Sequence, residues 1–331
     1  MTDVVLNNVS KAFGKTVAVE DVSMAIDEGA FVVLLGPTGA GKTTTLRLIS
    51  GLEKPDGGDI LFGGRSVIDD TPAQRNVAMV FQQYSLYPHM TVRENLSFPL
   101  RSPILKTPKD EIARKVAEVA EVLHISHKLD NKSTQLSGGE MQRVSIGRAL
   151  VRNPEIYLMD EPLSSLDAKL RAELRVELKR IQASLGATLL YVTHDQIEAM
   201  TMATQVGVLN EGRLVQFGSP REIYQDPVSF YVASRLGTPR INVLPADLFA
   251  GAPSGATVIG LRPEHIQQGE GKSAIVVRIE HLGDQTRLHL NLDGHEIVTL
   301  TDVHTELKPG DPVSIQPRNA LYFDAAGDRI T

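Results

Sequence analysis

Short apolar runs alternate with amphipathic stretches from the N-terminus to about residue 235, and this alternation predicts an α/β domain. Phe31–Leu35 is apolar throughout and bounded by glycines, as a buried strand is. Thr43–Ser50 predicts the helix that follows, ending at Gly51. Two more apolar runs, Ile156–Met159 and Thr188–Val192, end in polar residues, as the ligand-binding strands of open α/β sheets do.

A helix-rich insert is predicted between about residues 86 and 150. One of its helices has Thr107 as predicted N-cap, Pro108 at the first helical position and the acid Asp110 shortly after. An apolar stripe at helical spacing marks the face that we expect to pack into a core. The stripe consists of Ile112, Val116, Val119 and Leu123.

The pattern changes after about Leu236, where short alternating segments are separated by turn residues such as Asp293-Gly294. The change predicts an all-β, barrel-like domain over residues 236–331, after a first domain over residues 1–235. The predicted strands are Ala274–Ile279, Leu288–Leu292, Ile297–Leu300, Val313–Ile315 and Leu321–Phe323.

Composition narrows the class of protein. A length of 331 residues suits about two domains, and a net charge of −6 argues against nucleic acid as a partner. The sequence has no cysteine, which excludes disulfides, thiolate metal sites and Cys nucleophiles. Met1–Asn7 is not expected to be a signal peptide, because it lacks a basic flank and an apolar core. No apolar run approaches the ~20 residues that cross a bilayer.

A sequence of the form G-x-x-x-x-G-K-[ST] lies between the first predicted strand and its helix, as in phosphate-binding loops. Its backbone N–H groups and helix N-terminus favour phosphate, Lys42 adds positive charge at the β and γ phosphates, and Thr43 offers a hydroxyl to Mg²⁺. A chance Gly-rich turn is the alternative, but strand, loop and helix agree here. The predicted nucleotide-binding residues are Gly36, Pro37, Thr38, Gly39, Ala40, Gly41, Lys42, Thr43 and Thr44.

Two acids follow the apolar run Ile156–Met159. Asp160 is placed to hold Mg²⁺ through water, and Glu161 to polarise the attacking water. The alternative is a pair of surface acids at a strand end, which would be preferred if Lys42 were absent. With the phosphate loop present, the pair predicts nucleotide hydrolysis.

A second Gly-rich helix start occurs at Ser137–Glu140. Ser at the N-cap with Glu three residues later is an ordinary capping box. The N-terminus of a capped helix also attracts anions, so the segment can be a capping box and a phosphate-binding site at the same time.

Leu136–Arg143, which reads Leu-Ser-Gly-Gly-Glu-Met-Gln-Arg, resembles the signature motif of ATP-binding-cassette (ABC) ATPases. The resemblance covers residues 1–235 and implies an α/β cassette with a P-loop NTPase core and a helical subdomain, using ATP and Mg²⁺. The order of motifs is also that of the family. It runs from the phosphate loop through Gln82, the signature, Asp160-Glu161 and Ser165-Leu166-Asp167 to His194.

The resemblance implies four further roles. Phe13 stacks on adenine, unless it is simply a core residue. Gln82 contacts Mg²⁺ and the attacking water and senses the membrane subunits; otherwise it is a polar loop residue. Asp167 links two cassettes across their interface, or is only a helix N-terminal acid. His194 contacts the γ phosphate and orients Glu161, whereas an isolated His at a strand end would have no role.

The family also implies a dimer, in which the signature of one cassette closes on the ATP held by another. Ser137, Gly138, Gly139 and Glu140 would then meet the partner's ATP. The second cassette is expected to be another copy of this chain, with a paralogue as the alternative. Position 140 is Glu where Gln is more usual, and its extra negative charge is expected to weaken closure on a triphosphate.

Because no apolar run is long enough for a bilayer, other chains must cross the membrane, and the resemblance implies two separate transmembrane permease subunits. In the family, the loop corresponding to Gln82–Met90 receives a short helix from them; a locally packed loop is the alternative. The chain is therefore expected to lie peripherally on the cytoplasmic face of the inner membrane. A periplasmic or extracellular solute-binding protein would be an indirect partner.

The C-terminal domain resembles the OB-like regulatory domain of carbohydrate-importer ATPases such as the maltose and glycerol-phosphate systems. The likeness of this domain is carried by Gly237–Pro245 and Gly260–Ile266. Two segments of the first domain, Glu161–Arg171 and His194–Thr201, resemble the same importer ATPases. A carbohydrate is therefore the expected solute, and a regulator is expected to bind the C-terminal domain. Polyamine, phosphonate and ferric importers share related tails and stay open as alternatives.

Two other classes of function are weighed against the importer. A soluble cassette ATPase acting on nucleic acid or ribosomes usually has paired cassettes, coiled-coil arms or basic stretches, which this sequence lacks. A pure binding module, using the barrel to sense a regulator, leaves the complete set of ATPase residues without a use. The sequence therefore predicts an importer ATPase.

Overall fold

The chain divides into two units, Met1–Pro220 and Arg221–Thr331, in the computed structural model, which describes residues 1–102 and 105–330. Thr331 ends the predicted second domain and lies outside the described residues, as do Pro103 and Ile104 in the predicted helical subdomain.

The first unit combines strands and helices. Its strands are β1 (Val4–Phe13), β2 (Thr16–Ile26), β3 (Phe31–Leu35), β4 (Gly57–Phe62), β5 (Arg65–Ser66), β6 (Ala78–Val80), β7 (Tyr157–Asp160), β8 (Leu189–Thr193), β9 (Gln205–Asn210) and β10 (Arg213–Gly218). Its α-helices are α1 (Lys42–Ser50), α2 (Val92–Ser97), α3 (Lys109–Val122), α4 (Gly138–Leu150), α5 (Ala168–Leu185) and α6 (Gln196–Met202). Short 3-10 turns lie at Phe98–Arg101, Ser126–Lys128 and Ser133–Gln135.

A six-stranded sheet of order β10-β9-β3-β8-β7-β6 forms the centre of this unit, parallel except for β10. Strands β3 and β8 are buried along their whole length, as expected where helices cover both faces. Leu35 pairs with Thr193 and Asp160 with Val192, so the carboxyl ends of β3, β7 and β8 share one edge. That edge brings together the phosphate loop, Asp160 and His194.

A second, four-stranded antiparallel sheet of order β2-β1-β4-β5 interrupts the strand–helix alternation predicted for this region. Strands β1 and β2 form a hairpin whose turn contains Gly14 at a φ of 60°. Val4, Leu6 and Val9 of β1 point into the core while their neighbours are more exposed. This sheet therefore has one covered and one solvated face.

The helical insert differs in detail from its prediction. Thr107 is not the N-cap of α3, because Pro108 has extended backbone (φ −60°, ψ 147°) and takes the capping position without a side-chain hydrogen bond. Asp110 still supplies negative charge to the first turn, which stabilises the helix dipole. Val116 and Leu123 of the predicted stripe are buried, whereas the other two stripe residues are half-buried.

The second unit holds two antiparallel sheets, of order β11-β12-β17-β18 and β15-β14-β13-β16. Leu244 and Ile259 of one sheet share a buried cluster with Leu290 and Ile315 of the other, so a single core lies between them, as in a small barrel. The strands are β11 (Asn242–Pro245), β12 (Val258–Leu261), β13 (Ile266–His281), β14 (Thr286–Leu292), β15 (His295–Thr301), β16 (Pro312–Pro317), β17 (Leu321–Phe323) and β18 (Arg329–Ile330).

The division between the units comes earlier than the boundary predicted at residue 235. Two short helices, α7 (Pro220–Gln225) and α8 (Phe230–Arg235), precede β11. Phe230 packs edge-on against Phe323 with ring centroids 5.8 Å apart, and Ala233 is buried in the same cluster. Nearly all of this helical segment is therefore part of the second unit.

Candidate active site

The loop after β3 wraps around the start of α1. Lys42 is 5% exposed, and its Nζ donates hydrogen bonds of 2.9 Å to the carbonyls of both Gly36 and Pro37. Gly41 has a φ of 98°, and a Cβ there would lie 2.4 Å from the Ala18 carbonyl oxygen, so this position requires glycine. The loop backbone and the start of α1 thus form the cradle expected for phosphates.

Thr43 and Asp160 meet at the sheet edge, where the Thr43 hydroxyl donates to Asp160 Oδ1 at 2.9 Å. Burial raises the pKa of Asp160, and the hydrogen bond from Thr43 opposes that rise. Asp160 is 8% exposed, so its carboxylate is nearly enclosed beside the loop.

Glu161 lies between two groups that were predicted to work with it. Its Oε1 is 3.5 Å from Lys42 Nζ, and its Oε2 is 3.0 Å from His194 Nδ1. The backbone of Glu161 has a φ of 43°, in the left-handed region that favours glycine, and its N–H donates to the Val192 carbonyl at 3.1 Å. Such backbone strain persists only where surrounding contacts hold the residue in place.

A cleft of about 400 Å³ opens beside these residues. Phe13, at the end of β1, is 45% exposed and is therefore not a core residue. It pairs with Thr16, which lines the cleft. The lining is formed by Thr16–Ala18, Thr38, Gly39, Gly41–Thr44, Gln82 and Glu161.

The second Gly-rich segment lies at the start of α4, and its capping box is confirmed. The Ser137 N–H donates to Glu140 Oε2 at 2.8 Å, and the Glu140 N–H donates to Ser137 Oγ at 3.3 Å. A Cβ on Gly139 would lie 2.2 Å from a Leu170 methyl carbon, so glycine allows α4 to approach α5. None of the described residues lining the cleft comes from Ser137–Glu140.

Asp167 is the N-cap of α5, with Oδ1 accepting from the Leu170 N–H at 3.0 Å. Asp167 thus has the helix N-terminal role that was given as the alternative interpretation. Its role at an interface between two cassettes stays a prediction. Two residues not singled out from the sequence hold the loop before it. The Tyr84 hydroxyl lies 3.0 Å from Ser165 Oγ, and Arg171 donates to the Leu166 carbonyl at 2.9 Å.

Arg171 also reaches the residue after His194. Its Nη1 lies 3.6 Å from Asp195 Oδ2, so one side chain touches both the Asp167 loop and the His194 loop. The arginine follows Asp167 by one helical turn, but no sequence motif indicates that its partner comes from a strand end elsewhere in the chain. Only the parallel order of β7 and β8 places the two loops side by side.

The loop from Gln82 to Met90 is fixed from two sides. The Arg148 guanidinium lies 4.9 Å from the Tyr87 ring centroid and donates to the Ser85 carbonyl. Asn95 accepts a 2.9 Å hydrogen bond from the Tyr87 N–H. Arg148 is on α4 and Asn95 on α2, so the helical insert sets the conformation of this loop.

A buried carboxylate supports β8, the strand that ends just before His194. Glu198, 3% exposed, accepts hydrogen bonds from the Tyr191 hydroxyl at 2.9 Å and the Thr193 hydroxyl at 2.6 Å. Burial raises the pKa of Glu198, and both hydrogen bonds counteract the rise. The role of Glu198 was not predicted from the sequence, because a Glu in a short amphipathic helix usually faces solvent.

Replacing Glu198 tests that support. We expect Glu198→Ala to lower the free energy of unfolding by about 2–4 kcal/mol, because two buried hydroxyls lose their acceptor. Glu198→Gln keeps an acceptor without burying a charge and should stay within about 1 kcal/mol of the unaltered protein. Urea unfolding of both variants measures the difference. Equal losses in the two variants would mean that the hydroxyl bonds do not matter.

No α-helix among residues 1–102 and 105–330 is both long and apolar enough to cross a membrane.

Two family models match the chain. The model described as ABC transporter matches residues 19–164, and the model described as TOBE domain matches residues 259–322. An uncharacterized ABC transporter ATP-binding protein of Sinorhizobium fredii is 44% identical, covering 100% of this chain and 95% of the relative. An sn-glycerol-3-phosphate import ATP-binding protein of Brucella abortus is 48% identical, covering 90% of each.

Solved structures of ABC cassettes resemble the chain as well. A protein of Clostridium perfringens that is part of an ABC transporter complex has a TM-score of 0.62 and 29% identity, covering 66% of this chain and 89% of its own. A bacterial ABC transporter cassette solved as a dimer has a TM-score of 0.59 and 32% identity, covering 66% of this chain and 99% of its own. Together these likenesses confirm the fold class predicted from the sequence, an α/β cassette followed by a small all-β domain.

Proposed function

The chain belongs to the ATP-binding proteins of ABC transporters and is an ATPase of that family, and from this premise we propose that it drives the import of a carbohydrate-type solute. The observation that carries the assignment of the site is the meeting of Lys42, Glu161 and His194 beside the cleft. A phosphate cradle, a carboxylate and an orienting imidazole are the groups that ATP hydrolysis requires.

ATP occupies the cleft in this proposal. Gly36–Thr44 surrounds the phosphates with backbone N–H groups, and Lys42 interacts with the β and γ phosphates. Phe13 offers an exposed aromatic face to the adenine, next to the strand residue Thr16 that lines the cleft.

The oxygen atoms beside the loop fit a Mg²⁺ ion. The Thr43 hydroxyl and the Asp160 carboxylate are in contact at 2.9 Å, and Gln82, like Thr43, lines the cleft. These side chains supply the hard oxygen donors that Mg²⁺ prefers. When bound, Mg²⁺ would neutralise negative charge on the β and γ phosphates. Thr43, Gln82 and Asp160 are therefore proposed as its binding residues.

Hydrolysis is assigned to Glu161 and His194. The Glu161 carboxylate accepts a proton from the water that attacks the γ phosphorus; the new P–O bond replaces the bond to ADP and yields ADP and phosphate. His194 Nδ1 is 3.0 Å from Glu161 Oε2, a contact that holds the carboxylate in position. In this proposal His194 also contacts the γ phosphate.

A second cassette completes the site in this proposal. Ser137–Glu140 begins a capped helix whose N–H groups suit an anion, yet it does not line the cleft that holds Lys42. The segment would therefore bind the ATP of a partner cassette, with Asp167 at the interface. A homodimer is the simplest form, and the dimeric cassette among the structural relatives supports it.

The membrane partners are two permease subunits. The loop Gln82–Met90 is the proposed contact, because side chains of α2 and α4 hold it in place. Two exposed aromatic side chains adjoin it: Phe81, which is 41% exposed, and Phe98, which is 42% exposed and packs against Tyr87 with ring centroids 4.5 Å apart. A chain so bound is peripheral on the cytoplasmic face of the inner membrane. An external solute-binding protein and a regulator of the C-terminal domain complete the proposed set of partners, which includes no nucleic acid.

The proposed solute is sn-glycerol-3-phosphate or a related carbohydrate. Support comes from the Brucella relative named for sn-glycerol-3-phosphate import, which is similar over 90% of this chain, and from the match to a TOBE domain. No observation favours a polyamine, a phosphonate or ferric iron.

Uptake by a reconstituted complex tests this proposal. Proteoliposomes containing the chain with its copurified permease subunits and solute-binding protein should accumulate radiolabelled sn-glycerol-3-phosphate only when ATP is inside with the cassettes. Radiolabelled maltose, spermidine and ferric iron are offered as substrates in parallel assays. ATP-independent uptake would overturn the coupling role, while ATP-driven uptake of spermidine or iron alone would overturn the solute class.

A further inference from the structure

We propose that Lys128 neutralises Glu140 at the start of α4, so that Ser137–Glu140 can receive the triphosphate of a partner cassette. Lys128 Nζ lies 3.1 Å from Glu140 Oε1, and the two side chains are 28% and 25% exposed. The inference rests on the proposed cassette dimer. It makes Lys128 a positioning residue, one that acts through Glu140 and not by touching ATP.

The carboxylate of Glu140 presents an electrostatic difficulty at this place. A helix N-terminus attracts anions through a partial positive charge of about half an elementary charge. One full negative charge in the first turn more than cancels it, so Ser137–Glu140 would repel a triphosphate unless a cation compensates. The hydrogen bonds from Ser137 and Lys128 lower the pKa of Glu140, so the carboxylate is ionised at neutral pH.

Both oxygens of Glu140 are engaged, and each has a different partner. Oε2 accepts from the Ser137 N–H at 2.8 Å, which is the capping bond, and Oε1 faces Lys128. The carboxylate is thus held in one orientation, with the lysine charge added at its second oxygen. Capping and charge compensation do not compete for the same oxygen.

Among the ion pairs of the residues that the structure describes, Lys128 is the cation in contact with Glu140. Arg143, the next basic residue on α4, pairs with Glu177 and donates to the Leu123 carbonyl. Lys128 comes from outside the helix, in the 3-10 turn Ser126–Lys128, whose position is fixed by the buried side chain of Ile125 and a 2.9 Å bond from the Lys128 N–H to the Ile125 carbonyl.

A contribution to folding stability does not account for the ion pair of Lys128 and Glu140. Ion pairs that remain partly exposed contribute little to stability, because water screens them and ordering two long side chains costs entropy. The pair should matter more when the interface closes on a triphosphate, because water is excluded there and electrostatic interactions become stronger. The consequence of losing Lys128 should therefore appear in ATP-driven association and not in unfolding.

The test uses the full-length chain carrying Glu161→Gln, in which hydrolysis is suppressed, and measures the ATP concentration that gives half-maximal dimer by analytical ultracentrifugation. Adding Lys128→Gln should raise that concentration about ten-fold. Lys128→Arg should restore the parent value, and so should Lys128→Gln combined with Glu140→Gln. Lys115→Gln is the matched control, because Lys115 forms a comparable 3.1 Å pair with Glu111 on α3, 31% and 40% exposed.

Each possible result either supports or overturns charge compensation by Lys128. A shift with Lys128→Gln that Glu140→Gln reverses, with unchanged melting temperatures, supports charge compensation. A shift that persists in the double variant, or that Lys115→Gln reproduces, overturns it in favour of a general structural effect. No shift with Lys128→Gln also overturns it. If the Glu161→Gln parent forms no ATP-dependent dimer, the dimer of the proposed function fails together with this inference.

Discussion

Replacing Glu161 by Gln is expected to lower the rate of ATP hydrolysis by roughly 10² or more while ATP binding stays intact. Gln has nearly the size of Glu but cannot accept the proton of the attacking water. It also retains an oxygen and an NH₂ group at the places where Glu161 meets Lys42 and His194, 3.5 and 3.0 Å away. The loss should therefore fall on the chemical step alone.

Steady-state phosphate release and ATP binding by calorimetry measure the two quantities separately. Glu155→Gln is a suitable control, because Glu155 is 42% exposed and pairs with the N-terminal amine outside the cleft. Its hydrolysis should be normal. Normal hydrolysis by Glu161→Gln would show instead that Glu161 is not the general base.

The same substitution should make an ATP-bound dimer accumulate. Hydrolysis is the step that would reopen two closed cassettes, so slowing it lengthens the life of the closed form. Size-exclusion chromatography with ATP and Mg²⁺ should show a dimer for Glu161→Gln at concentrations where the unaltered chain is monomeric. A monomer under all nucleotide conditions would argue against closure of two cassettes on ATP.

Replacing Lys42 by Ala is expected to abolish tight ATP binding, weakening the affinity by roughly 100-fold. Lys42 is the cation placed inside the phosphate loop, where its Nζ is held by two loop carbonyls and is 3.5 Å from Glu161. Ala removes the charge that faces the phosphates. It also leaves Glu161 without a counter-charge, which adds repulsion toward a triphosphate.

Calorimetric titration with ATP measures this loss, with a melting temperature for each variant because Lys42 is nearly buried. Lys54→Ala is the matched control, since Lys54 pairs with Asp69 at 3.0 Å on the surface and is 70% exposed. That variant should bind ATP as the unaltered chain does. Unchanged affinity in a folded Lys42→Ala protein would contradict the assignment of the phosphate loop.

The main elements around the site were predictable from local pattern. Buried parallel strands are continuous apolar runs, so β3, β7 and β8 were located to within a residue. The phosphate loop and the capping box of Ser137 and Glu140 are equally local, because their groups lie within a few residues of one another. Short-range geometry needs no information about the rest of the chain.

Other elements depended on packing that the local pattern does not contain. The predicted boundary at residue 235 missed that Phe230 and Ala233 pack on strands far along the chain. Thr107 has a capping residue's chemistry, yet Pro108 takes the N-cap position. Both errors arise because a helix end and a domain boundary depend on tertiary contacts as well as on side-chain preference.

The sequence by itself determined which groups are present: a phosphate-binding loop, a capped glycine-rich helix start and a glutamate at position 140. Tertiary structure alone decided which of them meet. The order of parallel strands brings Thr43 to Asp160 and His194 to Glu161, pairs separated by 117 and 33 residues. A short turn brings Lys128 to Glu140. Because electrostatic effects depend on distance in space and not on separation in sequence, the extra charge seen at position 140 could be interpreted only after its partner was located.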